Sequence, residues 1–440
     1  MSLDIVIQGG IVVTVEPDVE PFVGTVAIQD GRIEAVWEGT DRREPAREHL
    51  NAQDMIVLPG LVNGHVHGDV TVARGLGDDM TLFDQNAVLG SHNFFRDMLT
   101  PEDRFASRQL TYIEAVKSGT TFLCENMFWS LGTDSLRAMR EVGIRGALVE
   151  DARPDFLDPA ALMDDTEMAG FCDAARAEGF VPVVGSTAEE DYDEGLLRAI
   201  KGMAQQCDAL VHTHLAETDW RLDRVERDFN TTPVRYLHRN GFLEDWLIGS
   251  HAVWVDDEEV GLMAEGGVRV VNTPVAEMKI ADGIAPVPKY LASGIRVGLG
   301  TDGALWNNCN DLFREMKALV LLHQIGSGIR SLNARQALEM ATVGGASVFG
   351  LETEQGSISA GKRADLVLVD TSGAHLRPLR WRTPSNIVSN IVYCATGQDV
   401  RTVIIGGRPV VVARELQTLD ENEVIAEAQA IGDRIAQAIT

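Results

Sequence analysis

The feature that most constrains this chain is an alternation of local pattern. From about residue 59 to residue 350, a short apolar run, a loop and an amphipathic stretch succeed one another repeatedly. The apolar runs are Gly119–Cys124, Arg145–Val149, Val181–Gly185, Ala209–His214, Trp246–His251, Val268–Asn272 and Ile295–Gly300, and Met55–His67 makes the eighth. Apolar runs of strand length separated by helical stretches predict parallel strands with crossover helices, and eight is the number that closes a (β/α)₈ barrel. The expected fold class is α/β, a TIM-type barrel.

The two chain ends have a different grammar. Residues 3 to about 58 alternate β-type runs with turns, among them Asp30-Gly31 between two such runs, a strong hairpin signal. After residue 350 the pattern returns in Ala364–Asp370 and in Val403–Val411, which is broken by Gly406-Gly407. The stretch from about Glu421 has helical spacing. These ends predict a small β-sandwich domain from residues 1–58 and 351–440, carrying a C-terminal helix, with the barrel of residues 59–350 inserted between its halves. A length of 440 residues suits that arrangement.

A net charge of −28 argues against nucleic acid or an anionic membrane as partner. No window reaches the roughly 18 unbroken apolar residues of a membrane span. Five scattered cysteines, Cys124, Cys172, Cys207, Cys309 and Cys394, contain no Cys-x-x-Cys pair, which points to a reduced, cytoplasmic setting and away from a cysteine zinc cluster.

Catalytic groups of such barrels sit at the carboxyl ends of the strands. Four ends here carry residues that bind metal or move protons. His65 and His67, one residue apart, share a strand face. In His212-Thr213-His214-Leu215-Ala216-Glu217, either histidine is placed to be a third imidazole ligand, and Glu217 lies just past the strand end. Ser250-His251 closes another strand, and Gly300-Thr301-Asp302-Gly303 closes a glycine-punctuated one on an acid. Converging imidazoles and a carboxylate suit a divalent metal.

Taken in order, Pro59-Gly60-Leu61-Val62-Asn63-Gly64-His65-Val66-His67, the His212–Thr218 stretch, Ser250-His251, Asn272-Thr273-Pro274, Asp282-Gly283-Ile284-Ala285-Pro286-Val287, Gly300–Ala304 and Gly361–Val367 resemble the amidohydrolase superfamily. More narrowly, they resemble its mononuclear zinc aminohydrolase and chlorohydrolase branch. The resemblance implies His65, His67 and His214 as imidazole ligands, Asp302 as the fourth protein ligand, Glu217 as proton shuttle and His251 as the group that orients the attacking water. It implies one Zn²⁺ per chain, with Fe²⁺ as the alternative ion. No lysine stands at a matching strand end for a carbamate-bridged pair of metals; Glu125 is the one acid placed to support a second ion, or else a buried hydrogen-bonding acid.

The activity so implied is hydrolytic deamination of an amino-substituted nitrogen heterocycle of pyrimidine, purine, pterin or triazine type to the oxo compound, with release of ammonia. A chlorohydrolase or cyclic-amide hydrolase is the alternative on the same site; a non-catalytic scaffold would have no need of the full set of site residues. The partner is then a small heterocycle, and a homo-oligomer is the expected assembly. Three departures put an adenosine-like substrate in doubt. Nucleoside-directed relatives have tryptophan near Gln85, a histidine-containing loop at Ser186–Glu189, and Ser-Asn where this chain has Ala276-Glu277. Asp84 and Glu277 are candidates to pair with amino or amidine-like nitrogens, Gln85 beside Asp84 is a further candidate substrate contact, and Trp306 is a candidate to stack on a flat ring.

Overall fold

Eight strands close into a barrel in the computed structural model, which describes residues 3–40, 44–88, 98–126, 132–153, 162–189 and 192–439. Five strands precede it in the chain: β1 (Leu3–Val12), β2 (Phe22–Gln29), β3 (Arg32–Glu38), β4 (Ala46–Asn51) and β5 (Met55–Pro59). The barrel strands are β6 (Leu61–Val66), β7 (Thr120–Asn126), β8 (Arg145–Asp151), β9 (Val181–Ala188), β10 (Leu210–Leu215), β11 (Leu247–His251), β12 (Arg269–Asn272) and β13 (Arg296–Leu299). They follow one another around the barrel in chain order. Because parallel strands of this kind are covered on both faces, β6, β7, β11 and β12 are buried along their whole length, which is why they read as unbroken apolar runs rather than alternating ones.

One expectation changes in detail. Met55–His67, taken from the sequence as a single barrel strand, is two: β5 pairs with β1 and β14 (Leu366–Asp370), and only β6 enters the barrel. The break falls at Gly60, where a Cβ would lie 2.0 Å from Thr121 Oγ1. Gly60→Ala is therefore expected to destabilise the protein by about 1–3 kcal/mol through overpacking, read as a lowered midpoint in chemical unfolding.

The remaining strands are β15 (Val400–Ile405), β16 (Arg408–Val412) and β17 (Glu415–Leu416). With β1–β5 and β14 they form a nine-stranded sheet from both chain ends, in the order β17-β16-β15-β14-β5-β1-β2-β3, β4 pairing with β1. Its core includes Ile5, Ile7, Val26, Ile28, Val57, Leu366, Leu368 and Ile404. Asp30 and Gly31 both have positive φ, 49° and 77°, as do Gly406 and Gly407 at 55° and 74°. Two consecutive left-handed residues match the right-handed twist of a hairpin, so both glycine-bearing dipeptides act as the turns their sequences announce.

The chain divides into two compact units, residues 1–63, 113–122 and 311–419 in one, residues 64–112, 123–310 and 420–440 in the other. The helix Glu421–Ile439, grouped above with the β domain, falls in the second unit, where Ile431 and Ile435 pack with Val70, Ala73, Leu99, Ala106 and Leu305. Arg434 pairs with Asp103 there. Among the described residues no helix is long and apolar enough to cross a membrane.

Candidate functional site

The ends of β6, β10, β11 and β13 bring the candidate residues into one buried cluster. His65, His67, Glu217, His251 and Asp302 are each at most 3% exposed, and His214 is 8% exposed. One nitrogen each from His65, His67 and His214, or one atom each from His65, His251 and Asp302, lie within 4.8 Å of one another. The chain is bent sharply to achieve this. Ala216, His251 and Asp302 all have left-handed φ, at 47°, 68° and 62°, a conformation unfavourable to residues with a Cβ and concentrated in nature at functional sites.

Hydrogen bonds behind the imidazoles fix which nitrogen faces the cluster. His67 Nδ1 lies 2.9 Å from the carbonyl of Asn126, which can only accept, so Nδ1 carries the proton and Nε2 presents its lone pair. That Nε2 is 3.1 Å from His214 Nε2 and 3.7 Å from Asp302 Oδ1. His65 turns Nδ1 to Ser250 Oγ at 3.0 Å and places Nε2 3.6 Å from Asp302 Oδ1. Burial and the neighbouring imidazoles hold His65 and His214 well below the usual histidine range, which keeps them in the neutral, ligating form. Burial pushes Asp302 up to about 7, against the opposing pull of His251.

This donor set fits a divalent cation. Ligands at about 2.0 Å in a tetrahedron lie roughly 3.3 Å apart, close to the His67–His214 separation. Each of His65 and His67 also has a partner on its second nitrogen, as metal-binding histidines do. Of the two histidines left open on β10, His214 points into the cluster. His212 sits behind His65, its ring stacked 5.1 Å away and its Nε2 2.7 Å from Ser250 Oγ; burial lowers it to about 3.

Glu217 lies at the edge of the cluster. Its Oε2 is 2.8 Å from Arg221 Nη1 and its Oε1 is 3.7 Å from His251 Nε2. Arg221 sits four residues on, in the helix Asp219–Phe229 that Thr218 caps. The turn before Glu217 is clamped: the Ala216 N–H donates to buried Glu189 Oε1 at 2.6 Å, and its carbonyl accepts from Val253 and Trp254. Behind His251, Nδ1 is 2.9 Å from Thr273 Oγ1, and that hydroxyl donates to Glu277 Oε1 at 3.2 Å. Burial opposes protonation of His251, but Glu217, Glu277 and Asp302 raise it to about 10.

The four residues expected to meet substrate are placed differently from one another. Asp84 is exposed and exchanges hydrogen bonds with Thr81 across the first turn of the helix Leu82–Val88. Gln85 is buried, its Nε2 donating to the Gly77 carbonyl at 2.8 Å. Both oxygens of Glu277 accept from Asn272 Nδ2 at 2.8 Å, and Oε1 also from the Thr273 N–H at 3.0 Å. Trp306 packs edge-on to His67, ring centres 5.3 Å apart. Residues 127–129, in the loop after β7, and Glu190, in the loop after β9, lie outside the described residues.

Glu125 is fully buried and committed elsewhere. Its two oxygens accept from the Gly68 N–H at 3.0 and 3.2 Å and Oε1 accepts from Arg108 Nε at 3.2 Å, while Arg108 reaches Asp69. It braces the backbone next to His67. Sequence reasoning missed Arg221, Ser250, Thr273, Asn272 and Glu189 as supports of the site. Only Arg221 carried a readable signal, its i, i+4 spacing from Glu217 on a helix that Thr218 announces.

The model of the Amidohydrolase family matches residues 56–410. The chain is 34% identical over 442 residues to a 5'-deoxyadenosine deaminase of Methanosarcina barkeri, covering 99% of each chain. It is 32% identical over 433 residues to a 5-methylthioadenosine/S-adenosylhomocysteine deaminase of Desulforudis audaxviator, covering 95% of this chain and 96% of that one. Among solved structures, a zinc-bound adenosine deaminase from Xanthomonas campestris superposes with a TM-score of 0.91 at 28% identity, over 99% of each chain. A zinc-complexed atrazine chlorohydrolase from Arthrobacter aurescens has the same fold, with a TM-score of 0.86 at 22% identity over 97% of this chain and 100% of that one.

Proposed function

Because the chain belongs to the amidohydrolase family, we propose that it is a metal-dependent hydrolytic deaminase, converting an amino-substituted nitrogen heterocycle to the oxo compound with release of ammonia. The observation that carries this reading is the meeting of His65, His67, His214 and Asp302 in one buried cluster with Glu217 at its edge. His65, His67, His214 and Asp302 hold one divalent cation per chain, zinc in the first place and iron as the alternative. The cation, when bound, supplies the Lewis acidity that makes hydroxide available at neutral pH.

The chain's own groups do the rest. Asp302 accepts a proton from the attacking water, and His251, set by Thr273 and Glu277, orients that water. Glu217 delivers a proton to the ring nitrogen beside the reacting carbon as the water oxygen adds there. Asp302 passes the proton it took from water to the amino group, the C–N bond breaks and ammonia leaves, and the hydroxyl on that carbon returns its remaining proton to Glu217 as the carbonyl forms. Trp306, beside His67, offers a flat apolar wall for the ring. Glu277 serves His251 rather than the substrate, since both its oxygens are already taken up by Asn272 and Thr273.

The names of the deaminase relatives place adenosine-type compounds in the test panel, while the changes at Gln85, Ser186–Glu189 and Ala276-Glu277 favour a smaller or differently substituted ring. The test is ammonia release over aminopyrimidines, purines, 5'-deoxyadenosine-type nucleosides, pterins and triazines, with chloride followed in parallel. Chloride without ammonia would turn the reading to a chlorohydrolase, and silence across the panel with metal present would remove it. Metal analysis should find about one equivalent per chain. Chelation should abolish turnover and zinc should restore it; two equivalents would overturn the single-ion assignment.

A further inference from the structure

Asp282 stands in the loop after the short helix Pro274–Lys279, on the side of the barrel where β12 ends. It is 4% exposed, and its Oδ2 is buried with no hydrogen-bond partner. Most polar groups in such a position are satisfied, and one that is not lowers the stability of the empty protein. The loop around it is not loose. The Asp282 N–H donates to the Glu277 carbonyl at 2.9 Å, and its own carbonyl accepts from Trp254 Nε1 at 2.7 Å. Gly283 follows at φ +135°, where a Cβ would lie 2.9 Å from Val253 Cγ1. With the backbone pinned on both sides, the carboxyl is held inside the unit rather than turned to solvent.

What surrounds it is the reacting end of the site. The Asp282 carboxyl lies within electrostatic range of Glu217, His251, Glu277 and Arg221. Arg221 is already paired with Glu217, and Glu277 is saturated by Asn272 and Thr273. Burial and the nearby Glu217 push the Asp282 carboxyl up to about 9, against the pull of His251 and Arg221, and the group expected beside its oxygen without a partner is the substrate. We propose that Asp282 is a specificity-determining residue whose free carboxyl oxygen accepts an N–H from the substrate. The preferred substrates are then amino heterocycles carrying a lactam-type N–H near the carbon that loses its amino group.

This rests on the deaminase reading, and matched substrates separate the two. Isocytosine and 2-aminopyrimidine, like guanine and 2-aminopurine, carry the amino group on the same carbon and differ in the lactam. The zinc-loaded enzyme is expected to favour the lactam member of a pair by about tenfold or more in kcat/KM, because a site built to accept an N–H rejects the analogue that lacks it. Asp282→Ala should bring that ratio towards one by lowering kcat/KM on the lactam member, and Asp282→Asn, which keeps an acceptor oxygen, should lower it less. A ratio unchanged in both variants would overturn the proposal while leaving deamination standing.

Where neither pair releases ammonia, deamination of these rings fails, and the same four compounds are scored as ligands by thermal shift. A shift given by the lactam members to the wild type but not to Asp282→Ala supports the role; equal shifts, or none, overturn it. The free Asp282→Asn protein should unfold no lower than the wild type, because the carboxyl it loses satisfies nothing in the empty site. A drop of several degrees would mark Asp282 as structural and overturn the proposal.

Discussion

Replacing Glu217 by Gln is expected to lower kcat by about 10²–10⁴-fold, the range supplied by a positioned proton donor, while metal content and unfolding midpoint stay near those of the wild type. The substitution keeps the shape of the side chain and leaves an oxygen for Arg221, 2.8 Å away in the parent. It removes only the ability to take up and release a proton. Since none of the proposed metal ligands is altered, zinc should remain at about one equivalent. KM should change little, because the lost interaction belongs to the transition state. Ammonia release and metal analysis on the same preparation check this, and a variant that keeps its activity would exclude Glu217 as the shuttle.

The second large effect separates two residues of one strand. His214→Ala should leave the protein unable to retain zinc through dialysis and without measurable turnover, since it removes a nitrogen 3.1 Å from His67 Nε2 at the centre of the cluster. His212→Ala should retain metal with about 10–100-fold weaker affinity, the cost of losing a group that orients a ligand rather than being one. Its ring stacks on the far side of His65 and reaches Ser250 Oγ. Zinc titration against a competing chelator distinguishes the two. Equal losses would mean that His212 also reaches the ion.

The contrast between these histidines shows what could be read in advance. Strand alternation places His212 and His214 on the same face, so the pattern alone leaves both open. The distinction comes from β11, which puts Ser250 opposite His214 in register and offers its hydroxyl to His212. The eight barrel strands were legible because buried parallel strands leave a continuous apolar trace. The division of Met55–His67 was less so, because a Pro-Gly break inside an apolar run does not reveal that its halves join different sheets. Asp84, read as a candidate substrate contact, exchanges hydrogen bonds with Thr81 at a helix turn that the local pattern did not show. Glu277 looked the same, and its fate depended on Asn272 and Thr273 folding back over it. Loop acids are decided by tertiary placement, which no local pattern encodes.

The strand carrying Asp302 is tied to the strand carrying His65 through the main chain. The N–H groups of Thr301 and Asp302 lie 3.2 and 2.9 Å from the His65 carbonyl. Gly300 permits this approach, a Cβ there falling 2.8 Å from His65 Cβ. These bonds are made by the main chain alone and use no side-chain ligand atom. Where zinc fingers acquire their shape from the metal, here the main chain itself sets the separation of the two strand ends that carry His65 and Asp302. Under the proposed single-ion reading, a spacing fixed in this way would leave the choice between zinc and iron to the supply of each ion.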